Sequence, residues 1–204
     1  MDNCGSMAEL ETVWNQRHRS ASPWETGKPC AELQRVLAER AIAPGRALEL
    51  GCGNGVNAAH LASRGFAVTA VDVSGDVLER ARASARSANV TVRFVHSDVL
   101  KLPDQGAPFS FVFDRGYYQH GRVERATFEK VLERVTAPGS LYLAIMPNAN
   151  TAVTAPRAVS EADLRTDFAR LFDVVQLREC HFDPVILKGR EVRPLMWSVL
   201  FKRR

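Results

Sequence analysis

The chain has 204 residues, of which 46% are hydrophobic and 25% charged, an average composition that excludes a disordered, collagen-like or simple coiled-coil protein. No apolar run approaches the ~18 residues that span a bilayer, so we expect a cytoplasmic protein with no membrane partner. The net charge of +4 is concentrated in residues 178–204. Because the basic residues form no cluster with interleaved aromatics, we expect no nucleic-acid partner.

The length and the lack of repeats or long linkers predict a single domain over residues 1–204. Residues 1–6 precede a second methionine, Met7, and are interpreted as a possible tag or cloning remnant. The four cysteines lack C-x-x-C spacing, so we expect no structural zinc site and no other metal.

The N-terminal part is predicted to consist of helices and a loop. Apolar residues at helical spacing predict helices over about 8–17 and 30–41. The intervening residues 18–29 are rich in helix breakers, and such a loop outside the alternating core is typical of an active-site cover. We therefore predict that residues 7–45 form N-terminal helices and a lid.

From residue 46 onward, apolar runs alternate with helical patterns. The runs predict five strands, at Arg46–Leu50, Ala67–Asp72, Val90–His96, Phe109–Asp114 and Ser140–Met146. The segments between the strands predict three helices: 54–64, 75–87 with Ser74 as its N-cap, and Val123–Val135, which Pro138 and Gly139 end. A further helix is predicted from Ser160 to about Leu171, with Asp163 completing a capping box.

Two final strands are predicted without a helix between them. They are Phe172–Phe182 and Pro194–Lys202, joined by a tight loop around Lys188 and Gly189, and we expect them to pair antiparallel. Strands that alternate with helices form a parallel sheet covered on both faces. The sequence thus predicts an α/β protein with a Rossmann-like, doubly wound sheet of seven strands, mostly parallel, with an antiparallel C-terminal hairpin.

The strongest motif lies between the first strand and the next helix and reads Glu49-Leu50-Gly51-Cys52-Gly53-Asn54-Gly55. Its glycines allow tight turns and close approach of a ligand, beside the free N–H groups of a helix start. A dinucleotide site has G-x-G-x-x-G, whose third glycine is Val56 here. The E-x-G-x-G-x-G spacing instead resembles the loop of class I methyltransferases. This resemblance implies S-adenosylmethionine as cofactor, S-adenosylhomocysteine as product, and a Glu49 that holds the loop and the cofactor's ammonium; loop bracing alone is the alternative.

Two aspartates follow the next two strands. Asp72 ends the second strand beside Val73, and its carboxylate can accept hydrogen bonds from both hydroxyls of a ribose. The alternative for Asp72 is a helix cap, although Ser74 is the better residue for that purpose. The resemblance to methyltransferases implies that Asp98 binds the adenine amine and that the backbone of Val99 contacts the ring.

Two further segments narrow the resemblance. The first is Trp14 followed by Pro23-Trp24-Glu25-Thr26-Gly27-Lys28-Pro29, and the second is Phe113-Asp114-Arg115-Gly116 with His120 after it. Together they are similar to the thiopurine methyltransferase and plant thiol/halide methyltransferase group. This similarity implies that the Pro-Trp stretch closes over cofactor and substrate, and that both tryptophans, Asp114 and Arg115 border the cofactor. Tyr117 stands where the group has a small residue, which narrows the acceptor chamber.

The acceptor side is predicted at the end of the fourth strand, where Tyr117, Tyr118 and His120 are the candidate catalytic residues. A thiol is partly ionised at neutral pH, so its methylation depends more on alignment than on a strong base. We therefore expect a small-molecule acceptor, with a thiol or another soft nucleophile as the leading candidate. Transfer to oxygen or nitrogen of a small natural product is an alternative, and so is a non-catalytic S-adenosylmethionine-binding protein. We expect a monomer or weak homodimer.

Overall fold

The computed structural model describes residues 6–19, 22, 24–151, 158–187 and 189–204. Residues 1–5 of the possible tag, Pro23 of the lid motif and Lys188 of the C-terminal loop lie outside the described residues. The described chain begins with helices α1 (Met7–Arg19) and α2 (Ala31–Glu39), as predicted. None of the described helices is both long and apolar enough to cross a bilayer.

The first half of the sheet region follows the prediction closely. Its elements are β1 (Arg46–Leu50), α3 (Val56–Ser63), β2 (Ala67–Asp72), α4 (Gly75–Ser87), β3 (Val92–His96) and β4 (Phe109–Arg115). A short 3-10 turn, Val99–Lys101, follows β3. Ser74 caps α4 as predicted, because its hydroxyl accepts the Val77 amide at 3.1 Å.

The second half contains α5 (Tyr118–Gly121), α6 (Arg125–Val135), β5 (Thr136–Pro147), α7 (Glu161–Phe168), β6 (Phe172–His181), β7 (Val185–Leu187), β8 (Arg190–Val192) and β9 (Leu195–Arg203). The capping box of Ser160 and Asp163 is present, so the start of α7 is confirmed. This helix ends at Phe168, short of the predicted Leu171.

The helix predicted over 123–135 is confirmed as α6, which begins two residues later and ends at the predicted Val135, but its surroundings differ from the prediction in two respects. A separate helix, α5, and a 3-10 turn at Arg122–Glu124 precede α6. In addition, Pro138 and Gly139 lie in the first part of β5 rather than between the helix and the strand. Proline lacks an N–H donor and its ring disfavours helix in the preceding residues, so the backbone is already extended at Thr136.

The strand order is β3-β2-β1-β4-β5-β9-β6. The first five strands in this order are parallel to one another, namely β3, β2, β1, β4 and β5. In contrast, β9 pairs antiparallel with both β5 and β6. The Rossmann-like sheet of seven strands and its antiparallel C-terminal pair are therefore confirmed. The predicted tight loop between the last two strands contains a small hairpin of its own, formed by β7 and β8.

Successive side chains along the strands point to opposite faces of the sheet and pack in two apolar cores, one on each face. On β1, Leu48 and Leu50 enter the core that α6 and α7 cover, while Ala47 enters the core that α2 and α3 cover. The carboxyl ends of β1 to β5 meet at one edge of the sheet. In open α/β sheets this edge binds ligands.

Candidate active site

The glycine loop joins β1 to α3 and has left-handed backbone at Gly51, Gly53 and Gly55. A Cβ atom on Gly55 would lie 2.7 Å from the Cβ of Ala81, so this glycine lets α3 and α4 pack closely. Among the described residues, a Cβ on Gly53 would meet only the Cε1 atom of His18, at 3.9 Å. The two glycines thus serve different purposes, since Gly55 is required by packing and Gly53 leaves its backbone accessible to a ligand.

Asp72 ties this loop to the end of β2. Its Oδ2 atom accepts the Gly53 amide at 2.8 Å and its Oδ1 atom accepts the Ser74 amide at 2.9 Å. Burial raises the pKa of Asp72, and these amides together with nearby His18 offset part of the rise. Each carboxylate oxygen can accept a further hydrogen bond, so Asp72 retains capacity for a ligand. Val73, the next residue, places its carbonyl 2.9 Å from the Nε2 atom of His96.

Two other carboxylates at this edge have an oxygen without a protein partner among the described residues. Asp98 accepts the Leu100 amide at 3.0 Å through Oδ1, while its buried Oδ2 has none. Glu49 accepts Asn57 Nδ2 at 3.3 Å through Oε1, while Oε2 has none. Burial raises the pKa of Glu49 to about 8. Unpartnered buried oxygens are costly, so both carboxylates are suited to donors from a ligand.

The remaining predicted loop residues lie beside these carboxylates. The side chain of Cys52 is buried, and its amide donates to Val71 at 2.9 Å. Asn54 is half-buried and accepts the Val56 amide at 3.5 Å. Val99 is buried at the start of the 3-10 turn that follows Asp98.

The Asp114 carboxylate, predicted to border the cofactor, makes several hydrogen bonds within the protein. Its side chain is fully buried, and burial raises its pKa to about 7. The carboxylate accepts the amides of Tyr117 at 2.6 Å and Tyr118 at 2.8 Å, and the Tyr142 hydroxyl at 3.0 Å. Asp114 therefore shapes the turn after β4 and starts α5, with both oxygens used by the protein.

Tyr118, the second candidate catalytic residue, packs in an apolar core. It is 1% exposed and packs on Phe168 of α7 with ring centroids 4.8 Å apart. Its hydroxyl donates to Asp167, which also pairs with Arg122 and Arg125 at 2.7 Å. This network joins α5 to α7 and gives Tyr118 a packing role between them, while its catalytic role stays a prediction.

Tyr117 and His120 are placed differently from Tyr118. The Tyr117 ring lies against the glycine loop, where a Cβ on Gly51 would be 3.3 Å from the Cβ of Tyr117. The His120 ring meets the Trp14 ring edge-on, with centroids 5.0 Å apart. The structure thus brings these two candidates next to the glycine loop and α1.

Trp24 and Arg115 meet at the end of β4. Arg115 Nη2 donates to the Trp24 carbonyl at 2.8 Å, and its guanidinium lies 5.0 Å from the Phe182 ring centroid. The Trp24 ring is 38% exposed and lies 6.3 Å from the His18 ring. With His18 and Trp14 separated by 6.0 Å, the rings of Trp24, His18, Trp14 and His120 form a continuous series, which we call the ring wall.

The sequence interpretation missed the polar contacts by which α1 lies over the strand ends. Glu11 accepts the Gly75 amide at 3.2 Å, and Asn15 accepts the Ser74 hydroxyl at 2.5 Å. His18, buried on the same helix, contacts Glu25 at 2.6 Å. The one available signal was the spacing of Trp14 and His18, which places both on one face of a helix.

Comparisons with known proteins agree with this geometry. Residues 47–139 match the family model of a methyltransferase domain. The chain is 26% identical over 157 residues to the 2-heptyl-1-hydroxyquinolin-4(1H)-one methyltransferase of Mycobacteroides abscessus. This alignment covers 74% of this chain and 69% of that protein. The chain is also 28% identical over 96 residues to "Probable thiol methyltransferase 2" of Arabidopsis thaliana. This second alignment covers 39% of this chain and 42% of that protein.

Solved structures share the fold. One, described as "Conversion of a Disulfide Bond into a Thioacetal Group during Echinomycin Biosynthesis", has a TM-score of 0.80 at 23% identity, covering 95% of this chain and 92% of that chain. The N-methyltransferase NodS from Bradyrhizobium japonicum, in complex with S-adenosylhomocysteine, has a TM-score of 0.71 at 16% identity, covering 95% and 97%.

The domain match, the sheet order and the glycine loop together define a class I S-adenosylmethionine-dependent methyltransferase. The chain is an enzyme of this class, and its cofactor is S-adenosylmethionine. The predicted class and cofactor are thereby confirmed.

Proposed function

We propose that this enzyme transfers the methyl group of S-adenosylmethionine to a heteroatom of a small planar acceptor. The observation that carries the proposal is the ring wall, which runs from Trp24 to His120 opposite the accessible backbone of Gly53. Aromatic faces attract both planar molecules and cations. The bound cofactor would supply a methyl group activated on a positively charged sulfur.

The carboxylates at the strand ends fit the polar groups of this cofactor. In our proposal Asp72 accepts the ribose hydroxyls, Asp98 the adenine amine through its unpartnered oxygen, and Glu49 the ammonium. Gly51, Cys52, Asn54, Val73 and Val99 would complete the lining of the cofactor site. Arg115, which has a buried Nη1 atom without a partner among the described residues, would lie at the methyl-donor end.

A thiol is our first candidate for the acceptor group. Thiols are soft nucleophiles and partly ionised near neutral pH, so Tyr117 and His120 would mainly orient the acceptor. The similarity to a plant protein named as a thiol methyltransferase supports this choice.

A hydroxyl is the second candidate. The relative from Mycobacteroides abscessus is named for a hydroxyquinolinone acceptor, and its alignment covers more of the chain than that of the thiol methyltransferase. A hydroxyl of high pKa must lose its proton during transfer, so this candidate requires a base in the site.

We also propose that residues 7–45 act as the lid of a single domain over residues 1–204. In this proposal the enzyme is cytoplasmic, a monomer or weak homodimer, and has no nucleic-acid partner. The contacts of α1 with the start of α4, at Ser74 and Gly75, support the lid.

The test is release of S-adenosylhomocysteine with matched acceptors, in which one aromatic scaffold carries a thiol, a hydroxyl or an amine. We expect turnover of the thiol or the hydroxyl and little of the amine. Binding of S-adenosylhomocysteine by calorimetry without turnover of any acceptor would favour the non-catalytic alternative. Preference for aliphatic over planar acceptors would contradict the role of the ring wall.

A further inference from the structure

His18 and Glu25 form a buried imidazole–carboxylate pair that the methyltransferase class does not by itself explain. The His18 Nδ1 atom lies 2.6 Å from Glu25 Oε1, and the two side chains are 5% and 14% exposed. A carboxylate can only accept, so Nδ1 carries the proton in this contact. That proton on Nδ1 leaves the Nε2 atom of a neutral imidazole unprotonated and basic.

Arg80 holds the carboxylate of this pair in place. Its Nη1 atom donates to Glu25 Oε2 at 2.8 Å, and its Nη2 atom lies 3.2 Å from Oε1. Nη2 also approaches the His18 carbonyl at 3.3 Å. Because Arg80 belongs to α4, a helix packed on the sheet, the orientation of the imidazole is linked to the rigid part of the domain. Such orientation of an imidazole by a third group is a feature of catalytic histidines.

The imidazole lies beside the glycine loop, which the proposed function assigns to the cofactor. Its Cε1 atom, which is bonded to both ring nitrogens, lies 3.9 Å from the place that a Cβ atom on Gly53 would occupy. The ring lies between Trp14 and Trp24 in the ring wall. Among the described residues, no protein group forms a hydrogen bond with Nε2.

We propose that His18, oriented by Glu25, accepts the proton of the acceptor group during methyl transfer. The inference rests on the proposed function and adds the base that a hydroxyl or an un-ionised thiol requires. The bond between the acceptor heteroatom and hydrogen breaks and its proton goes to Nε2. The electron pair of that bond forms the new bond to the methyl carbon, while the electron pair of the broken carbon–sulfur bond stays on sulfur. Glu25 stabilises the resulting imidazolium, which then releases its proton to water. His18 is thus a catalytic residue and Glu25 a positioning residue.

The first test compares acceptors that differ in their need for a base. A general base contributes about 10²–10⁴-fold in rate, so we expect His18→Gln to lower kcat by about that factor for a phenol or an aliphatic thiol. For an aromatic thiol that is already ionised we expect less than about a tenfold loss, since no proton remains to be removed. The affinity for S-adenosylhomocysteine should change by less than about threefold, and added imidazole should restore part of the lost turnover. His60→Gln, on α3, is the control.

The second test is spectroscopic and independent of turnover. Side-chain ¹⁵N spectra report which ring nitrogen carries the proton, and we expect the Nδ1–H form of His18 in the wild type and its loss in Glu25→Ala, which removes the acceptor. An Nε2–H form in the wild type would overturn the proposal.

An equal loss of kcat in His18→Gln on both kinds of acceptor would also overturn the proposal, because it would indicate only a structural contact within the lid. If His120→Gln shows the selective loss instead, the base is His120. A wild type that binds S-adenosylhomocysteine but methylates no acceptor would overturn the proposed function and this inference together. Acceptor turnover that His18→Gln leaves unchanged would overturn the inference alone.

Discussion

Gly53 and Gly55 allow a matched test of the glycine loop, because alanine is strained at both positions but clashes at only one. Their φ angles are +53° and +73°, a region that costs an L-residue roughly 1–2 kcal/mol. At Gly53 the new Cβ would have no neighbour closer than 3.9 Å in the part of the chain that the structure describes. At Gly55 it would lie 2.7 Å from the Cβ and 3.0 Å from the Cα of Ala81, so the packing of α3 on α4 would have to shift.

These distances set different magnitudes for the two substitutions. Gly53→Ala should lower the free energy of unfolding by about 1–2 kcal/mol, the backbone strain alone. Gly55→Ala should lower it by about 2–5 kcal/mol, since overpacking adds about 1–3 kcal/mol to the strain. The loss of cofactor affinity should have the opposite order and be larger for Gly53→Ala, because the added methyl group occupies the face by which a ligand approaches. We expect Gly53→Ala to weaken S-adenosylhomocysteine binding at least about tenfold, or ~1.4 kcal/mol.

The assays are urea denaturation for stability and calorimetric titration with S-adenosylhomocysteine for affinity, both on the two variants and the wild type. The folded fraction of Gly55→Ala should retain an affinity closer to the wild type than that of Gly53→Ala. Unchanged binding by a folded Gly53→Ala protein would refute the assignment of that face to the cofactor. Equal destabilisation by the two substitutions would refute the argument from packing.

Four further outcomes are expected. Asp72→Ala should weaken S-adenosylhomocysteine binding by about 1.5–3 kcal/mol in calorimetry, because a charged acceptor for the ribose is lost. Trp24→Ala should lower turnover with little change in melting temperature, because the ring is 38% exposed and little of its packing would be lost. Tyr118→Phe should lower the free energy of unfolding by about 1–3 kcal/mol, since buried Asp167 loses a donor, while kcat stays near that of the wild type. Burial raises the pKa of Glu49 from 4.5 to about 8, so the folded protein binds more protons than the unfolded chain in this range. Its stability should therefore fall as the pH rises from about 4.5 to 8, and Glu49→Gln should flatten that fall.

The three substitution experiments at Asp72, Trp24 and Tyr118 each have a result that would contradict the expectation. Unchanged affinity in folded Asp72→Ala would remove Asp72 from the ribose site. A badly destabilised Trp24→Ala protein with normal specific activity would show a packing residue instead of a lid residue. A large loss of kcat in Tyr118→Phe would show that this phenol takes part in catalysis. Asp114→Asn is the control for the pH measurement. Burial raises the pKa of Asp114 to about 7, so this carboxyl should add its own fall in stability with rising pH to that of Glu49.

Local sequence was sufficient for the elements of the sheet and for the cofactor loop. Strands β1 and β2 have the predicted bounds, because each is a short apolar run that ends at a polar or glycine-rich turn. The caps at Ser74 and Ser160 were predictable because a side chain that bonds an amide three residues away needs no distant partner. The spacing of the glycines likewise indicated the cofactor, since the required turn conformations are properties of single residues.

Long-range packing decided the acceptor side. Two neighbouring tyrosines follow β4, and the sequence does not show which one faces the core. The answer depends on Asp114, whose bonds to both amides and to Tyr142 set the turn, and on Asp167, which accepts from Tyr118 across 49 positions of the chain.

The same limit applies to the lid. Helical spacing indicates that α1 has an apolar face, but not that it lies over the carboxyl ends of the strands. That placement arises from contacts between residues 55 to 64 positions apart, such as Glu25 with Arg80, Asn15 with Ser74 and Glu11 with Gly75. Hydrogen bonds and ion pairs of this kind depend on distance in space, and so His18 becomes a candidate base only when the chain is folded.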